Sequence, residues 1–112
     1  MILQRGDIVR VILDPVIGSE VGKARPAVVV QNDLANRSSQ TVTIVPISTS
    51  TDRVFPFQVR IPAGEGGLTR PSKALCEQIR TVSRERLSER LGQLSRERMV
   101  EIRAALDRHL WF

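Results

Sequence analysis

Apolar and polar positions alternate along most of this chain with the short period of β-structure, and only the final stretch changes to a helical period. Residues 8–13 (IVRVIL) predict a first strand with Arg10 on its wetter face, and Asp14-Pro15 ends it. Residues 26–31 form an apolar, β-branched run that predicts a buried second strand. In residues 41–47 (TVTIVPI) apolar and hydroxyl side chains alternate, which predicts a third strand, and Pro46 argues for an edge or an end. Residues 55–61 (FPFQVRI) predict a fourth strand, and residues 72–77 (SKALCE) a fifth that runs on through 78–82 after a bulge.

Between these runs lie turn and cap signals. Asn32 or Asp33 is placed to cap a short helical turn, and Ser83 to cap another that ends near Leu87. Leu91 falls in a brief extended piece closed by Gly92. From Ser95 onward the period is helical: Met99, Ile102, Leu106 and His109 or Leu110 form one stripe of a helix over 96–109, expected to pack on the sheet. Glu97 suits the positive end of that helix, and Arg108 and His109 the negative end. The loop over 16–24, with Gly18 and Gly22, and the Gly-rich stretch over 62–69 are both expected to be mobile. Many short strands and one closing helix indicate a mainly β fold, a small and strongly bent sheet or barrel, in a single domain spanning 1–112.

Composition narrows the function. With 112 residues, 41% of them hydrophobic, the chain can bury one ordinary core. Aromatics are only 4% and Tyr is absent, which weighs against reading nucleic acid through a stacking platform. The net charge is +5, and all but two of the 17 cations, Lys23 and Lys73, are Arg. Arg presents a planar fork of donors that fits phosphate oxygens, so a polyanionic partner is one reading, and solvated Arg–Glu pairs are the other. The single Cys76 excludes an internal disulfide and a Cys-based zinc cluster, and its apolar neighbours suit a core residue. No apolar run approaches a membrane span and the first residues do not read as a signal peptide, so a soluble cytoplasmic protein is expected.

The chemistry is then found by elimination. His109 is the only histidine and sits at a helix end, which excludes two-histidine acid–base cleavage of RNA within one chain. Acids are dispersed, which disfavours a two-metal site, and no phosphate-cradling Gly loop or zinc-protease motif is present. Arginine and hydroxyl groups remain. Metal-free cleavage of RNA uses the substrate's own 2′-OH and asks the protein for donors where charge develops on the phosphorane. Arg25 is the leading candidate: Pro26 fixes its own φ and biases Arg25 toward extended backbone, mounting the guanidinium where a loop meets a strand. Ser48, at the end of the third strand, is the matching hydroxyl if the two strands are neighbours. Each also has a plain reading: Arg25 bridges a carboxylate and Ser48 closes a turn.

The runs RGDIVRVILDP, GSEVGKARPAVVVQND, VPIST and CEQIRTVSRERL closely resemble the MazF/PemK/Kid toxins of type II toxin–antitoxin systems, in order and nearly end to end. The resemblance implies an SH3-like β-barrel with a C-terminal helix, acting as a homodimer. It implies an mRNA interferase, a metal- and cofactor-independent endoribonuclease that cuts single-stranded RNA at short motifs and leaves 2′,3′-cyclic phosphate and 5′-OH ends. It also implies a cognate MazE-like antitoxin as partner, with DNA reached only through the antitoxin complex. Carried over by position, the catalytic Arg falls on Arg25 and the catalytic Thr on Ser48, with Thr49 the adjacent substitute. Pro26, Gln78 and Arg80 fall on the RNA groove, and Glu20 and Lys23 on the loop that closes over substrate. Two alternatives stay open: a gyrase-poisoning toxin on the same fold, acting through Leu110-Trp111-Phe112, or an RNA- or antitoxin-binding module without nuclease activity. That apolar tail equally suits packing on the barrel or on a second subunit.

Overall fold

The three strongest apolar runs pair in sequence order. In the computed structural model, which describes residues 1–111, β1 (Asp7–Ile12), β2 (Ala24–Val29) and β3 (Thr41–Ser48) form consecutive antiparallel ladders. β4 (Gln58–Ile61) pairs with β5 (Ser72–Leu75), which reaches the far edge of β3. β6 (Arg80–Ser83) also pairs with β3, and β7 (Leu87–Gln93) lies on β1. The order is β4-β5-β3-β2-β1-β7, with β6 a second partner of β3.

β3 is therefore central, not an edge, and Pro46 sits inside it at a gap. Residues Thr41–Ile44 pair with β6 and Ile47–Ser48 with β5. Val30 N–H donates to Thr43 O, so odd-numbered residues of β3 direct their backbone groups to β2 and even-numbered ones to the other edge. The nitrogen of Pro46 thus points between β6 and β5, where no ladder bond is lost.

Alternation along the strands makes two cores. Ile8, Val28, Val45, Ile47, Val59, Ile61 and Ala74 turn inward with Cys76, and helix α2 (Arg96–Leu110) closes over them with Ile102 and Ala105. Val9, Val11, Ala27, Val29, Val42, Ile44 and Val82 form the other face, covered by Leu3 and Leu13. Two covered faces explain why the β1 and β2 runs are nearly continuous in apolar residues. Met99 and Leu106 pack beside Ile102 as the helical stripe predicts. All of His109, Leu110 and Trp111 are exposed, Trp111 at 83%, and of the three His109 tilts against the Phe57 ring at 6.1 Å. Phe112 lies outside the described residues. Ser95 caps α2 by accepting from Arg98 N–H, and Asn32, not Asp33, caps the short helix α1 (Asp33–Ser38).

Other expectations are corrected. The fourth strand starts at Gln58, because Phe55 and Phe57 leave the ladder and stack on each other at 5.3 Å. The fifth ends at Leu75 in a 3-10 turn over Cys76–Gln78 in place of a bulge. Register shifts occur instead in the β1–β7 ladder, where they bend the sheet. The short extended piece near Leu91 is a seven-residue strand, β7.

The sheet does not close between β4 and β7. A second 3-10 turn, Glu65–Gly67, fills that gap, so the Gly-rich stretch is packed, not loose. Glu65 is tied to α2 by Arg98 at 3.1 Å. The turn approaches β7 so closely that a Cβ on Gly92 would stand 2.5 Å from the Gly66 carbonyl carbon. The opposing atoms are backbone and have little room to retreat. Gly92→Ala is expected to destabilise the fold by about 1–3 kcal/mol, read as a lower urea midpoint at unchanged m-value. A midpoint equal to wild type would show that the gap yields.

Candidate active site

The site is built where the β2–β3 ladder stops. Even-numbered residues of β2 direct their backbone groups at β3, and Pro26 has no N–H to give. The last registered pair is Ala27 with Pro46. Continuing that register by two residues brings Arg25 level with Ser48. Across the other edge Arg25 pairs with Val11, whose side chain is in the outer core, so Arg25 and Ser48 share the face outside the barrel. Arg25 is the second residue of β2, where the loop passes into the strand.

Both side chains are partly buried and partly engaged. Arg25 Nε donates to Gly22 O at 2.8 Å, which orients the guanidinium and leaves its Nη groups without a partner among the described residues. Ser48 Oγ accepts from Ser50 N–H at 3.1 Å, so its own proton is free to be donated. Thr49 and Pro26 go elsewhere. They line a cavity of about 310 Å³ with Arg10, Ile47 and Arg70 that lies away from the face shared by Arg25 and Ser48.

The β1–β2 loop forms one wall, and it is pinned where mobility is expected. Val21 N–H donates to Gln78 Oε1 at 3.0 Å, and Lys23 N–H to Asp14 Oδ1 at 2.8 Å. Arg86 reaches Ile12 O and Asp14 O, and Arg80 reaches Leu13 O at 3.5 Å. Lys23 adopts φ 65°, a left-handed conformation that turns the loop back into β2. The Glu20 carboxylate folds onto its own loop, accepting from Ile17 N–H at 2.7 Å. Gln78 and Arg80 thus support the wall, while Glu20 and Lys23 are exposed on it.

Two further polar side chains have surroundings that the sequence does not announce. Glu77 Oε2 accepts from Gln58 Nε2 at 2.7 Å, but Glu77 Oε1 is buried with no hydrogen-bond partner among the described residues. Such orphans are rare in native proteins and call for a reason. Its signal was its place in CEQIRT, next to Gln78. Lys73 pairs directly with Ser48 across β3 and β5, and nothing local in the sequence reports that pairing.

Cys76 belongs to the core. It is fully buried, and burial, with the nearby Glu77 charge second, pushes its thiol up to about 12. The thiol is therefore protonated at neutral pH. A thiol reagent at pH 8 is expected to leave the native protein unlabelled over minutes and to modify one thiol per chain in urea. Fast labelling of the native state would show the core open. Among the described residues no group of three His, Cys, Asp or Glu side chains is placed to hold a metal.

A bent, barrel-like antiparallel sheet, covered by a C-terminal helix and carrying Arg25 and Ser48 on one face beside its first loop, is the fold of the small β-barrel toxins. The chain belongs to the PemK-like, MazF-like toxins of type II toxin–antitoxin systems, whose family model matches residues 4–110. It is 40% identical over 113 residues to "Endoribonuclease MazF9" of Mycobacterium tuberculosis, covering 96% of each chain. It is 40% identical over 108 residues to "Endoribonuclease EndoA" of Bacillus subtilis, covering 96% of this chain and 93% of that one. The crystal structure of MazF from Deinococcus radiodurans superposes with a TM-score of 0.86 at 25% identity, over 100% of this chain and 99% of that one. An endoribonuclease in complex with its cognate antitoxin from Mycobacterial species superposes at 0.80 and 26% identity, over 96% and 94%.

Proposed function

We propose that this toxin is an endoribonuclease that cuts single-stranded RNA by attack of the substrate's 2′-OH. The observation that carries the reading is the level placement of Arg25 and Ser48 on one face, just past the point where the ladder opens. In the reaction the 2′-oxygen bonds to the adjacent phosphorus and the P–O5′ bond breaks. The products are a 2′,3′-cyclic phosphate and a 5′-OH end. Negative charge grows on the non-bridging oxygens in between, and the free Nη groups of Arg25 and the Ser48 hydroxyl donate to them. Arg25 is not the base, since a guanidinium does not give up its proton in a protein. The 2′-OH proton needs another acceptor, a role we assign to Glu77, whose Oε1 no described group engages and which RNA must uncover to reach, and the departing 5′-oxygen takes up a proton from water. The same placement favours RNA cleavage over the gyrase-poisoning and nuclease-free alternatives, because neither needs a donor pair at an opened ladder.

The partner of such a toxin is a cognate MazE-like antitoxin, a reading supported by the structural relative solved with its own antitoxin. We take the working form as a cytoplasmic homodimer that meets DNA only through the antitoxin complex. No helix among the described residues is long and apolar enough to cross a membrane, which fits that setting.

Digestion of a long RNA in EDTA, with mapping of the new 5′ ends, tests the function. Hydroxyl-ended cuts at a recurrent short motif are expected, and an intact RNA overturns the reading. The same assay separates the hydroxyls. Ser48→Ala is expected to slow cleavage by ~10-fold or more, the loss of one transition-state donor, while Thr49→Ala stays near wild type. The reverse order would move the role to Thr49.

A further inference from the structure

Lys73 extends the site. On β3 and β5, Ile47 pairs with Ala74 and Ser48 with Lys73. Ile47 and Ala74 face the inner core, so Ser48 and Lys73 face the other way, toward the side that carries Arg25. Arg25, Ser48 and Lys73 therefore stand in a row across three neighbouring strands. Two strand spacings put about 10 Å between the Cα atoms at the ends of that row.

The lysine is buried, with 8% of its surface exposed. Its Nζ donates to Arg53 O at 2.7 Å, and no carboxylate among the described residues comes within ion-pair distance of it. An ammonium has three donors, and one carbonyl uses one of them. Burying a cation with so little compensation is unfavourable, and an apolar residue would fill the same space at less cost. A phosphate arriving beside Ser48 would supply the missing counter-charge.

We propose that Lys73 is a phosphate-binding residue that holds the RNA phosphate next to the scissile one. This rests on the reading of the site as an RNA-cleaving cleft. Arg25 and Ser48 grip the phosphate that reacts, and Lys73, on the far side of Ser48, takes its neighbour. The bond to Arg53 O ties the wall made by residues 49–57 to β5, so the ammonium is held in place before RNA arrives. A contact to a phosphate that does not react strengthens binding of substrate and transition state alike, so it acts on KM and leaves kcat in place.

The test is the salt dependence of binding. The probe is a randomised 12-nucleotide single-stranded DNA, which lacks the attacking 2′-OH, titrated by fluorescence anisotropy from 50 to 300 mM NaCl. Lys73→Met and Lys73→Gln are each expected to bind roughly tenfold more weakly at the lowest salt, as for a lost charged hydrogen bond. Each should flatten the plot of log affinity against log salt by about 0.7, the step for one phosphate contact on a single strand. Lys73→Arg should keep the wild-type slope. With RNA as substrate the neutral variants should raise KM and leave kcat within about threefold.

Gln can still donate to Arg53 O, so Lys73→Gln keeps the wall in place if Lys73→Met fails to fold. A wild-type slope in folded Lys73→Gln overturns the proposal, because a residue that only tethers the wall carries no counterion. Failure of both neutral variants to fold overturns it as well, by making Lys73 a structural residue. An RNA left uncut by wild type in EDTA would refute the nuclease reading by itself, while the salt slope would still decide whether Lys73 meets a phosphate.

Discussion

Arg25→Ala is expected to lower the rate of RNA cleavage by ~10²-fold or more, with an unfolding midpoint close to wild type. The two halves of that expectation have separate grounds. Arg25 is partly exposed, and its hydrogen bond is a single contact to Gly22 O, so truncation leaves neither a cavity nor a buried orphan of consequence. Its Nη groups are the part of the side chain without partners among the described residues, and those are the atoms that can meet a phosphorane. Charge on the non-bridging oxygens is greatest in the transition state, so kcat should fall more than KM rises. Arg25→Lys should recover only part of the loss, because a point charge cannot reproduce two parallel donors. Single-turnover rates in EDTA for the three proteins measure this. Wild-type activity in Arg25→Ala would end the assignment of the site.

How far the sequence discloses this arrangement depends on the range of the interactions that make it. β1, β2, β3 and the caps at Asn32 and Ser95 rest on local rules of period, β-branching and side-chain capping, and they are legible. Pro46 points to an edge or an end of its strand, and it lies near the end of β3 but not on an edge, because a proline reports only that a donor is missing. That the strand exchanges β6 for β5 at that point is decided elsewhere in the chain. The stretch around Gly64, Gly66 and Gly67 looks flexible for the same reason, since its partner is Gly92, far along the sequence. The β1–β2 loop looks mobile until Gln78, Arg80 and Arg86 arrive from later in the chain to hold it. In the cleft itself, Arg25 stands out through the proline that follows it. Lys73 does not, since its placement beside Ser48 is a matter of register, and register is not local. Glu77 is hidden in a different way: it sits in plain view within a motif, but only folding reveals that one of its oxygens is left alone.

Glu77→Gln is expected to reduce kcat by ~10²-fold or more while leaving KM nearly unchanged, as for loss of a general base. The substitution is close to isosteric. The carbonyl oxygen of the new amide can still accept from Gln58 Nε2, so the contact at 2.7 Å survives. What changes is the other atom, where a carboxylate oxygen able to take a proton becomes an amide nitrogen that cannot. The same change removes a charged oxygen that is buried without a partner, a feature that costs about 1–3 kcal/mol when neutral and more when charged. Glu77→Gln should therefore be as stable as wild type or more so. A variant that gains stability as it loses rate is the signature of a group kept for chemistry, and packing alone has no reason to produce it. Paired measurements of the urea midpoint and of single-turnover cleavage decide between these cases. If cleavage stays within a few-fold of wild type, the proton leaves by another route and Glu77 Oε1 serves some other contact. If stability falls together with rate, Glu77 belongs to the framework of the cleft.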